Sequence, residues 1–189
     1  MKNFGFPRHV LIVGILFVSA LIALRISSAQ ERTYKIGDRG PAGGWIFYDK
    51  GDSTGGWRYL EAAPDNLPGI VRWGCWGKSI PGAQGTAVGT GKSNTQAIIE
   101  RCEGYFAARL ASAKDGGGKH DWQLPSKDEL DAIYENLHKN GIGGLGGFRG
   151  YWSSSEYDAR TAWGQGFLVG SQVHSTKELN VRVRAIRAF

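Results

Sequence analysis

The chain has two cysteines in its 189 residues, Cys75 and Cys102, and neither sits in a Cys-x-x-Cys pair or beside a His-x-x-x-His pair. So few ligands at that spacing argue against a zinc site. A calcium loop is missing too: Asp49 and Asp52 share a turn, but no Asp-x-Asp-x-Asp-Gly pattern surrounds them. Gly91-Lys92-Ser93 ends like a phosphate loop, yet position 86 is Thr where that motif requires Gly, which argues against a nucleotide site. The hydroxyls of Ser153, Ser154 and Ser155 lack the Gly-x-Ser-x-Gly elbow of a hydrolase. Beside Trp152 they are expected to satisfy buried backbone groups instead. No metal, cofactor or catalytic residue is implied.

What is present begins with a leader. Lys2, Arg8 and His9 precede the charge-free run Val10 to Leu24, followed by Arg25 and the small residues Ser27-Ser28-Ala29. This layout predicts a signal peptide over 1–29, cut after Ala29, and a short linker over 30–35. The run has 15 residues, fewer than the roughly 18 to 20 that cross a bilayer as a helix; an uncleaved anchor is the alternative, and only then is the membrane a partner. Export places the protein outside the cytoplasm (periplasm, cell surface or medium), where Cys75 and Cys102 are expected to pair as a disulfide. Residues 1–29 hold three of the 23 basic residues and none of the 17 acidic ones, so the rest carries a net charge of only +3. That charge, not gathered in one tract, argues against nucleic acid as a partner.

Residues 36–189 have the length of a single domain. The run Trp45-Ile46-Phe47-Tyr48 predicts a strand, with Trp57 to Glu61 as its hairpin partner across the turn-forming Asp49 to Gly56. Ser93 and Gln96 suggest a capping box for a first helix, whose apolar residues Ile98, Ile99, Cys102, Tyr105, Phe106 and Leu110 recur until Lys114-Asp115-Gly116. Ser126 and Glu129 cap a second helix with the stripe Leu130, Ile133, Tyr134 and Leu137, ended by Asn140-Gly141. Strand alternation returns over 163–170 and 181–184, and slips at Ile186, which reads as a bulge or a strand buried on both faces.

Read together and in order, "IGDRGPAGGWIFYDKG", "GWRYLEAAP", "WGCWG", "GTGKSNTQAIIERC", "DWQLPSKDELDAIYENLH", "YWSSSEY", "AWGQGF" and "VRAIRAF" resemble the C-terminal domain family of the Legionella collagen-like adhesin, from about Ile36 to Phe189. The resemblance implies an α+β, C-type-lectin-like fold, akin to the formylglycine-generating enzymes: two helices on a twisted, mostly antiparallel sheet, with the chain ends forming neighbouring strands. The Glu-Pro-Asn and Trp-Asn-Asp signatures of calcium-dependent sugar binding are absent, so any glycan contact is expected to be direct. The enzymes work through cysteines, which here are better used in a bridge.

The function expected is an exported, non-catalytic binding module for acidic or sulfated glycans or another surface ligand. A structural component of the cell envelope, homo-oligomeric through its aromatics, and an enzyme of the formylglycine-generating group are the alternatives. Arg149, Arg160, Lys177, Arg182, Arg184 and Arg187 concentrate in the last third as a cationic patch or a solvated strand face. Of the seven tryptophans, Trp45, Trp57, Trp122 and Trp152 are expected in the core, and Trp73, Trp76 and Trp163 at the surface. The candidate ligand-binding residues are Arg149, Arg160, Lys177 and Arg182 for charge and Trp163 for stacking. Two of His120, His174, Glu156 and Asp158 converging in a cleft would instead indicate an enzyme, and scattered, exposed positions would count against one.

Overall fold

A computed structural model describes residues 1–2 and 32–189. The expected leader, apart from its first two residues, lies outside the described residues. The chain divides into Met1–Thr33 and Tyr34–Phe189, and the second unit holds both hydrophobic cores. Among the described residues no helix is long and apolar enough to cross a membrane.

The expected hairpin forms from β1 (Trp45–Asp49) and β2 (Tyr59–Ala62), antiparallel with an irregularity between Ile46 and Tyr48. On the other side of β2 lies β6 (Ile186–Ala188), where the alternation slipped: Ile186 and Arg187 are both buried, so the strand is covered on both faces. The first and last strands thus flank β2 and are not neighbours, which corrects the expected pairing. The ends of the unit still meet, since the rings of Tyr34 and Phe189 approach edge to face at 5.5 Å.

The first expected helix is two. α1 (Gly91–Arg101) and α2 (Ala107–Ser112) are separated by an extended Cys102, Gly104 at φ +88° and an extended Phe106. Only glycine takes that φ without strain, so the helix breaks although apolar spacing continues across the gap. The Ser93 capping box does not form; Ser93 Oγ donates to Thr90 O and Gln96 bonds Glu100. By contrast α3 (Lys127–Asn136) has the expected box, with Ser126 and Glu129 each accepting from the other's backbone N–H, and it ends past a short turn at Gly141.

β3 (Tyr151–Glu156), β4 (Thr161–Gly166) and β5 (Ser171–Thr176) form a second antiparallel sheet in that order. The strand expected over 163–170 therefore stops at Gly166, and residues 167–170 turn the chain. The segment 181–184 bridges to Val71 and Tyr151 and does not form a full strand. The protein is α+β, with three α-helices and two small sheets among the described residues.

Three of the four sheet rims are covered. Asp38 and Gly37 bond Ile46 beyond β1, Gln123 exchanges both backbone bonds with Ile186 beyond β6, and Arg182, Pro125 and Ala83 accept from alternate residues of β3. β5 has no such cover among the described residues; apart from its ladder to β4, its backbone only accepts one bond, from Leu179 N at Thr176 O.

Candidate functional site

Three buried carboxylates, whose role in bracing loops the sequence did not reveal, hold glycine-rich loops in place. Glu61 accepts from Ala42 N and Gly44 N and pairs with Arg187. Glu129 accepts from Gly89 N and Ser126 N; burial pushes its pKa up, and the backbone N–H bonds pull it only part of the way back. Glu156 accepts from Ile80 N at 2.9 Å and from Lys177 Nζ at 2.6 Å. A buried charge left without partners costs several kcal/mol, so each of these glutamates fixes its loop firmly.

These partners remove most of the expected cationic patch. Lys177 is 0% exposed; besides Glu156, its Nζ donates to Lys78 O and Ala159 O and lies 4.7 Å from the Trp73 ring. Its charge is spent internally, so it cannot meet a surface ligand. Arg184 is buried, donating to Ala63 O, Asn66 and Gly143 O, and desolvation lowers its pKa. Arg187 is buried too; desolvation opposes its charge, but the bidentate bond to Asp121 and the pair with Glu61 outweigh it and hold its pKa up. Arg182 donates to Gly146 O and Arg149 O, and so braces the glycine-rich loop. The strand face of alternating arginines is thus internal bracing.

Arg149 and Arg160 are both exposed, but they do not share a patch. Tyr151 pairs with Gln165, which sets Arg149 level with the Gly166 end of β4, while Arg160 immediately precedes its other end at Thr161. Six residues of strand span about 20 Å.

Two sets of rings and cations lie at the Thr161 end of this sheet. Trp163 and His174 are cross-strand partners on β4 and β5. Tyr157 stacks on His174 at 3.9 Å with an interplanar angle of 6°, and Trp163 meets both rings edge-on at 5.4 Å. Lys127 Nζ, from the first turn of α3, lies 5.1 Å from the Trp163 ring. Gly77 N donates to Ala159 O, drawing the Trp76 loop against the turn, so that Arg160 lies 5.6 Å from the Trp76 ring. Trp76 and Tyr157 are each 51% exposed. These two side chains are therefore partly open to solvent, and each set has one cation beside a ring, Lys127 at Trp163 and Arg160 at Trp76.

The site is stiff from behind. Asp158 Oδ1 accepts from Arg160 N and Thr161 N at 2.7 Å each; these bonds, the Arg160 one first, hold its carboxyl below the usual range. The Glu156–Lys177 pair joins the ends of β3 and β5 beneath the turn, and the Cys75–Cys102 disulfide, as expected, ties the Trp76 loop to the end of α1.

Trp73, expected at the surface, is 0% exposed because it packs in the hydrophobic core, where its indole N–H donates to Ser153 O. Trp122 and Trp152 are buried as expected, while Trp45 and Trp57 are half-buried. The three serines do satisfy internal groups: Ser153 Oγ donates to Trp163 O, Ser155 Oγ to Gly85 O, and Ser154 Oγ accepts from Asn94. Of the four residues, any two of which converging in a cleft would indicate an enzyme, Glu156 is committed to Lys177 and His120 faces Asp115 in another turn, while His174 lies close enough to Asp158 to help lower its pKa, with both side chains exposed. No group of three His, Cys, Asp or Glu side chains is placed to hold a metal among the described residues. Neither a protein-family model nor a curated protein matches the chain.

Proposed function

We propose that this is an exported, non-catalytic module of C-type-lectin-like fold that binds acidic or sulfated glycans on the face formed by Tyr157, Trp163, His174, Lys127, Trp76 and Arg160. The observation that carries the reading is the pairing of open aromatic faces with cations at one end of a braced sheet. Sugar rings present C–H faces that pack on aromatic rings, and guanidinium or ammonium groups bond the carboxylates or sulfates between them. Arg160 and Trp163 are retained from the residues expected in the sequence, whereas Lys177 and Arg182 serve the fold. The disulfide supports a location outside the cytoplasm.

The test is retention of the domain, expressed from Gln30, on immobilised heparin at low salt, where charge contacts are least screened. The doubly changed variant Arg160→Glu, Trp163→Ala should elute at markedly lower salt than the unaltered domain. Equal elution would overturn the proposal.

A further inference from the structure

We propose that the open rim of β5 is a self-association surface, on which a second copy of this chain adds its own β5 antiparallel about a two-fold axis at Val173. Natural sheets guard exposed rims with charge, proline or a bulge. β5, with the sequence Ser171-Gln172-Val173-His174-Ser175-Thr176, has no lysine, arginine, acid or proline, and it pairs with β4 without irregularity.

The backbone fixes the register. Lys177 N donates to Arg160 O, so residues 177 and 160 form a hydrogen-bonded pair of the ladder. Alternation along an antiparallel ladder then turns the backbone groups of Ser171, Val173 and Ser175 toward β4, and those of Gln172, His174 and Thr176 away from it. Two β5 strands can bond only if outward residues face outward residues, which places the axis on a residue and not between two. An axis at His174 would need Thr176 O, which already accepts from Leu179 N. An axis at Val173 uses only Gln172 and His174, each exchanging N–H and C=O bonds with the other residue of the partner.

Side chains agree with that choice. Val173, 50% exposed opposite Gly164, meets its own symmetry mate, so the apolar group of the strand is covered and no like charges face each other. Continuing the register brings the exposed turn residues Leu168 and Val169 alongside the segment of the partner that carries its exposed Leu179. A two-fold contact requires such self-complementarity. The product is one continuous sheet with both Trp163–His174 faces on the same side. The inference stands on the rim itself and does not depend on the glycan reading.

Sedimentation of the domain should show a dimer, Val173→Lys a folded monomer, and an equimolar mixture of Val173→Lys with Val173→Glu a dimer again, as opposite charges meet at the axis. A Val173→Cys variant should cross-link to itself under mild oxidation, because facing residues in a non-hydrogen-bonded pair have Cβ atoms about 5 Å apart. A monomeric unaltered domain, or a dimer that survives Val173→Lys and does not cross-link through Val173→Cys, would overturn it.

Discussion

The two sheets have the same number of strands and opposite relations to solvent. In β1-β2-β6 both rims are capped by other segments, and its central strand is buried throughout around Glu61 and Arg187. In β3-β4-β5 burial falls away strand by strand: β3 is wholly buried, β4 partly so, and β5 has no buried residue. The first sheet closes the fold. The second runs from the core to open water, and its outer part carries aromatic rings whose backbone is held by buried charge. The proposed recognition face lies on the side where the fold is unfinished, next to the buried Glu156–Lys177 pair.

The sharpest way to break this contrast is to remove that pair. Lys177→Met should cost about 3–5 kcal/mol in denaturant unfolding, since Glu156 would be left charged and buried, whereas Arg160→Ala, a few residues away in space but exposed, should leave the midpoint nearly unchanged. Next comes the disulfide: closing a loop of 27 residues contributes ~3.5 kcal/mol on the chain-entropy account, so Cys75→Ser with Cys102→Ser should lower stability by about that much. The proposed glycan face should respond in the opposite sense. Tyr157→Ala is expected to weaken heparin binding on the order of tenfold, about 1.4 kcal/mol, in an affinity titration, with a smaller effect on unfolding.

The smallest effect is in acid, and it belongs to the first sheet. The side-chain bond from Arg187 holds the Asp121 carboxyl below its ordinary value of 3.8. Its contribution is present above that value and lost as pH falls through the depressed one. Glu129 has the opposite sign, because burial raises its pKa: its contribution is present below 4.5 and fades as pH rises through the folded value. Asp121→Asn should therefore flatten the loss of stability below about pH 4, read as the denaturant midpoint against pH.

What the sequence made legible was local. The box at Ser126 and Glu129, the β1–β2 turn and the Cys75–Cys102 bridge each depend on short-range chemistry or on the only two thiols. The break at Gly104 was hidden because Ile98, Cys102, Phe106 and Leu110 keep helical spacing on both sides of it, with the bridge anchoring the gap. The charges misled for a different reason. Glu61 meets Arg187 across 126 positions and Glu156 meets Lys177 across 21, and nothing near either residue marks its partner. A glutamate in the apolar run Leu60-Glu61-Ala62-Ala63 is itself a signal that distant hydrogen-bond donors must satisfy it. Of the aromatic face, Trp163 and Arg160 could be chosen from the chain, but His174 could not, since its role comes from lying opposite Trp163.

The meeting of Tyr34 with Phe189 has a practical side. A unit whose two ends emerge together can be spliced into a surface loop of a host protein as a cassette, or have its ends joined and be reopened elsewhere, without pulling its interior apart. The 51–56 turn, exposed throughout and outside both cores, is the place to make the new opening.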